Sequence, residues 1–95
     1  MDKVIVIYEE NHGFIGIVKS KEDVINFLIN KNWLRDSFVF PCYDPTIRCY
    51  TNPSIVDLFG KNWRDVFRKK TFDELQTLLE DSFEFSEEEV YSFTE

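Results

Sequence analysis

Residues 3–8 read Lys3-Val4-Ile5-Val6-Ile7-Tyr8, an unbroken β-branched and aromatic run. A half-exposed strand would alternate with polar residues, so this run predicts a strand covered on both faces and central in its sheet. Asn11-His12-Gly13 supplies residues that tolerate positive φ, and Phe14-Ile15-Gly16-Ile17-Val18 follows, which predicts a β-hairpin over 3–19. Gly16 within its second strand marks a bulge or a close backbone approach. Ser20, with Asp23 three residues on, caps a helix over about 21–33 whose apolar stripe is Val24, Ile25, Phe27, Leu28 and Ile29.

Further along, Ser37-Phe38-Val39-Phe40 and Arg48-Cys49-Tyr50-Thr51 flank the turn-forming Asp44-Pro45-Thr46, which predicts a second hairpin over 37–51 with Cys42 opposite Cys49. Helical signals fill 54–70: a Ser54/Asp57 box, Gly60 as a stop, and Asn62 as a new cap. Thr71-Phe72-Asp73-Glu74 is a capping box for a helix over 72–80. Ser82-Phe83-Glu84-Phe85 alternates as a strand does. Residues 87–93 fit strand or helix; strand is preferred, with Phe83, Phe85, Tyr91 and Phe93 on one side and Val90 buried. The expected fold is α+β, one compact domain over 1–95: a small, mostly antiparallel sheet under one layer of helices. Lys31-Asn32-Trp33 and Lys61-Asn62-Trp63 echo each other, which is expected if both preceding helices stop by the same C-cap chemistry, at a left-handed Asn30 or Gly60, and fold a Trp back on the core.

With 95 residues there is room for one small core, burying somewhat over ~60% of the surface of the unfolded chain. Hydrophobic residues at 43% and aromatics at 17% exceed what a disordered acidic chain carries. Two cysteines are too few for a disulfide scaffold, and no charged-then-apolar leader precedes the first strand. No apolar run approaches the ~20 residues of a membrane span. The expectation is a cytoplasmic protein with buried, free thiols at Cys42 and Cys49.

Little in the chain looks catalytic. His12 is the single histidine and sits in a predicted turn beside Glu9 and Glu10, so an enzyme would have to be built on it with one of those carboxylates. The cysteine pair lacks the further ligands of a zinc site, and Gly13, Gly16 and Gly60 form no phosphate-binding loop. No cofactor and no metal are expected. Lys61, Arg64, Arg68, Lys69 and Lys70 interleave with Trp63 and Phe67, the residue types of a nucleic-acid site. Their helical spacing ahead of an acidic segment reads better as a solvated face, or one docked on the chain's own carboxylates, and direct nucleic-acid binding is not expected.

Charge is the strongest functional signal. The first 70 residues hold nine acids and eleven bases, a net of +2, whereas residues 71–95 hold nine acids and no base, giving the total of −7. The acids are Asp73, Glu74, Glu80, Asp81, Glu84, Glu87, Glu88, Glu89 and Glu95. Helix-dipole stabilisation accounts for Asp73 and Glu74. The others, spaced along a helix and a strand, can imitate a row of phosphates and fill a cationic groove. The first eight are the expected partner-binding residues. The alternative is a regulatory or assembly module that binds through exposed aromatics, with Tyr43, Tyr50 and Trp63 as candidates.

In size and charge layout the chain resembles the small acidic proteins that phages and other mobile elements of bacteria make against host defences: anti-CRISPR, anti-restriction and DNA-mimic inhibitors. The opening Val4-Ile5-Val6-Ile7-Tyr8-Glu9-Glu10-Asn11-His12-Gly13-Phe14-Ile15-Gly16 also looks like short proteins of Gram-positive prophages. The resemblance implies a non-enzymatic inhibitor acting in the host cytoplasm on a basic, nucleic-acid-binding host enzyme. It assigns no role to any single position.

Overall fold

The computed structural model describes residues 2–90, in which strand β1 (Asp2–Glu9) is the centre of an antiparallel sheet of order β2-β1-β5. β2 is Gly13–Val18 and β5 is Phe83–Val90. The class is α+β, as expected. The central strand is nevertheless covered on one face only: Ile5 and Ile7 are buried, while Val4, Val6 and Tyr8 are half-buried. A continuous apolar run arises here because the outer residues pack laterally, Tyr8 edge-on to Phe14 with 6.4 Å between ring centroids. Phe14 and Ile17 stay more than half exposed on that outer face.

Both features expected of Gly16 are present. The register slips between Ile7, opposite Gly16, and Tyr8, opposite Phe14, so Ile15 is the extra residue of a bulge. A Cβ at Gly16 would also collide with the ring of Phe27 from helix α1 (Lys21–Asn30). Gly13 closes the first hairpin with φ 73°.

Helix α1 stops at Asn30, the earlier of the two ends its sequence allows and not Trp33, because Asn32 takes φ 62°. Trp33 N–H then bonds the Leu28 carbonyl at 2.9 Å and Asn32 N–H the Ile29 carbonyl at 3.1 Å, the two bonds of a Schellman stop. The left-handed residue is thus Asn32 and not Asn30. Ser20 occupies the N-cap, but its hydroxyl donates to the Asp23 carboxylate at 2.9 Å and caps no backbone N–H.

The second hairpin is a separate two-stranded sheet, with β3 at Cys42–Asp44 and β4 at Cys49–Thr51. Its register pairs Cys42 with Thr51 and Cys49 with Asp44, so the cysteines are diagonal, not opposite, and both are exposed. Phe38 and Phe40, expected in its first strand, are drawn inward instead. Phe38 stacks 6.1 Å from Phe83 and Phe40 lies edge-on 6.0 Å from Phe59, leaving a single bridge between Val39 and Ser54.

As the stop at Gly60 and the cap at Asn62 predict, 54–70 holds two helices, α2 (Ile55–Phe59) and α3 (Trp63–Arg68), broken at Gly60 with φ 85°. Both expected capping boxes form: Ser54 with Asp57, and Thr71 with Glu74 at the head of α4 (Phe72–Leu79). The tripeptide echo is not a shared stop, since Lys31-Asn32-Trp33 ends α1 whereas Asn62 precedes α3 and Trp63 opens it. Strand β5 confirms the strand reading through Val90; residues 91–93, with Tyr91 and Phe93, lie outside the described residues. Val90 is exposed, not buried.

One core joins the layers. Ile5, Ile7, Phe83 and Phe85 from the sheet meet Val24, Leu28, Trp63, Phe67, Leu75 and Leu79 from the helices. β2 begins pairing only at Val18 opposite Ile5, so Asp2–Val4 and Glu88–Val90 extend past it as a two-stranded ribbon.

Candidate partner-binding surface

The acidic segment folds into consecutive elements: α4, the turn at Glu80 and Asp81, and edge strand β5. Local chemistry puts them there. The Thr71 box starts α4, Leu75 and Leu79 anchor it, and Phe83 and Phe85 of β5 turn into the core, leaving Glu84 on the outer side. Thus all eight expected residues are exposed, and the fold sorts them into two groups.

The first group is occupied within the chain. Glu74 accepts the Thr71 N–H at 2.8 Å, which holds its carboxyl below the ordinary 4.5. Glu87 lies 3.4 Å from the Lys21 ammonium, Glu88 accepts the Ser86 hydroxyl at 2.7 Å, and Glu89 stands opposite Lys3 in the strand register. The second group is Asp73, Glu80, Asp81 and Glu84, whose carboxylates have no hydrogen-bond or ion-pair partner among the described residues. Asp73 in the first turn of α4 and Glu80 at its C-cap, which keeps helical φ and ψ, are seven residues apart, two turns and so on the same side. Glu80 and Glu84 share a shallow groove floored by Phe83 and Phe85. Glu84 and Glu88 project from the same outer face of β5, about 13 Å apart at the rise of a strand.

His12 does pair with Glu9: its Nδ1 lies 3.0 Å from Glu9 Oε1. The same carboxylate accepts the His12 N–H at 2.9 Å and the Asn11 N–H. The His12 side-chain bond and these backbone bonds hold the Glu9 carboxyl below its usual value. His12 packs edge-on against Trp33 at 5.1 Å, and both line a groove of about 620 Å³ with Arg35 and Pro41. Glu9 thereby braces the turn backbone, and the pairing has a conformational role. The groove escaped the sequence because it joins residues from four separate segments, and only the aromatic Trp33 so near a chain reversal hinted at it.

The basic cluster is dispersed. Arg64 reaches Asp36 at 3.4 Å, and Arg68 bonds Asn26 at 3.1 Å and lies 3.8 Å from Asp65, so these bases meet acids of the first 70 residues and not the acidic segment. Trp63 and Phe67 are fully buried and offer no surface for stacking bases. Trp63 is therefore no docking aromatic either, whereas Tyr43 and Tyr50 are exposed and meet edge-on at 5.3 Å on the far side of the second hairpin from the cysteines. Among the described residues no group of three or more His, Cys, Asp or Glu is arranged to hold a metal, and no helix is long and apolar enough to cross a membrane.

No family model, no curated protein and no solved structure matches this chain.

Proposed function

We propose that the chain is a non-enzymatic binding protein whose α4–β5 surface occupies a cationic, nucleic-acid-handling site of a basic host protein, as anti-defence inhibitors of mobile elements do. The observation that supports this reading is the set of unpartnered carboxylates Asp73, Glu80, Asp81 and Glu84 on consecutive elements. Acids that served only the fold would be paired or placed as caps, as Glu74 and Glu87 are. Leaving four of them free on consecutive elements costs self-repulsion, which a cationic partner relieves.

The test is a charge reversal confined to that set: Asp73, Glu80, Asp81 and Glu84 to Lys. Bound to a partner recovered from host extract with the wild-type protein, this variant should lose binding by at least about a hundredfold, while circular dichroism reports an unchanged fold. Reversing Glu74 and Glu87 would disturb a cap and an ion pair and confuse the result. Retained affinity in the folded quadruple variant would sink the acidic reading.

A second reading has its own support in the exposed Tyr43–Tyr50 pair, which suits docking through aromatics. It requires Tyr43→Ala with Tyr50→Ala to abolish partner capture, an effect the acidic reading does not produce.

A further inference from the structure

A cavity of about 280 Å³ opens between the first turn of α1 and the start of α4. Its sign is opposite to that of the proposed binding surface. Lys21, Arg68 and Lys70 line it against one carboxylate, Glu22, a local net of +2 within a chain of −7. Lys21 of α1 lies more than forty residues in sequence from Arg68, at the end of α3, and Lys70, in the link before α4, so the fold and not local spacing brings it to the other two. Arg68 is held in place: its Nε donates to Asn26 Oδ1 at 3.1 Å, across from α1. The partial neutralisation by Glu87 on Lys21, at 3.4 Å, and by Asp65 on Arg68, at 3.8 Å, involves exposed side chains and is weak. The apolar part of the lining is the buried Ile25 and Leu75 and the half-buried ring of Phe72, over which the Lys21 ammonium lies at 5.2 Å, while that of Lys70 lies 5.7 Å over Phe59.

Three cations beside an apolar lining fit a ligand with a compact anionic head and a small hydrophobic body. An arginine guanidinium matches phosphate in a two-point contact, and lysine ammoniums add point charge. The volume is at the small end for ligand sites, room for about one ring beyond the head group. We propose that this cavity binds a small phosphate monoester, its phosphate among Arg68, Lys70 and Lys21 and its apolar body on Phe72 and Leu75. This site is independent of the acidic surface and stands whether or not that surface docks a partner.

The full chain, labelled with nitrogen-15, is titrated with inorganic phosphate and with phenyl phosphate at ionic strength held constant with chloride. Amide shifts should saturate and be confined to the segments around 21–26 and 68–75. Phenyl phosphate should bind at least about tenfold tighter than inorganic phosphate, because only it uses the apolar lining. Arg68→Ala should abolish both. Should that variant fail to fold, Lys21→Gln with Lys70→Gln leaves the Arg68–Asn26 bond intact and should weaken both probes at least about tenfold. Linear shifts without saturation, shifts scattered over lysines throughout the chain, equal affinity for the two probes, or undiminished binding by the folded lysine variant would each overturn the proposal.

Discussion

Trp63 is fully buried, and its indole N–H is satisfied by Asp36 Oδ1 at 2.8 Å, 27 residues away in sequence. Asp36→Ala removes that acceptor and should lower unfolding stability by about 1–2 kcal/mol, read from the urea midpoint; Asp36→Asn, which keeps a carbonyl oxygen there, should recover most of it. That single bond also explains why Trp63 looked exposable in the sequence: a tryptophan beside Arg64 in a basic stretch has the local marks of a surface residue, and its true partner lies in a distant loop. The cysteines teach the converse. An apolar neighbourhood in sequence placed them inside, yet Phe38 and Phe40 took the interior and left Cys42 and Cys49 outside. Both thiols should therefore react with an aromatic disulfide reagent at rates close to those in denaturant. No native disulfide should form, since diagonal neighbours on paired strands stand about 7–8 Å apart, beyond disulfide reach.

Elements whose signals are local were the legible ones. Both capping boxes span four residues each and formed as written, because their donors and acceptors are supplied within one turn. Thr71→Ala should cost about 1 kcal/mol of stability by chemical denaturation. Glu74, bonded to the Thr71 N–H, and Glu9, bonded to His12, both titrate below their ordinary value in the folded chain. A depressed carboxyl contributes stability that is fully present above its unfolded pKa and is lost as pH falls through the folded one. Stability should thus begin to fall only in the acid range below about 4.5, and Glu9→Gln with Glu74→Gln should flatten that limb in a series of urea midpoints against pH. The second hairpin was less legible. Strands of three residues carry too little alternation to set a register, and long-range aromatic packing moved its start from residue 37 to Cys42.

For the whole molecule, the α+β class followed from the β1 run and the order of signals after it, but the one-sided burial of β1 did not, because lateral packing and burial produce the same string of residues. The acidic segment was visible as composition; that Glu74 and Glu87 are occupied while Asp73, Glu80, Asp81 and Glu84 are free depended on which bases the fold brings near. If the free set docks a cationic partner, long-range attraction acts on encounter. The association rate, measured by surface plasmon resonance, should then fall by about tenfold or more between 50 and 200 mM salt, over which the Debye length roughly halves, while dissociation changes little.

Among the described residues the β1–β5 ribbon beyond Val18 has no third strand, and its Glu88 to Val90 are exposed while Val4 is half-buried. Its hydrogen bonds can open a pair at a time from the end away from the core without disturbing that core. Amide exchange with deuterium should therefore be graded along β5: slowest at Phe85, faster at each bonded step outward, and near the unprotected rate by Glu89. A ribbon that opens in this way holds Glu88 and Glu89 less firmly than the sheet holds Glu84, so this stretch of the acidic surface is a compliant fender on a rigid body.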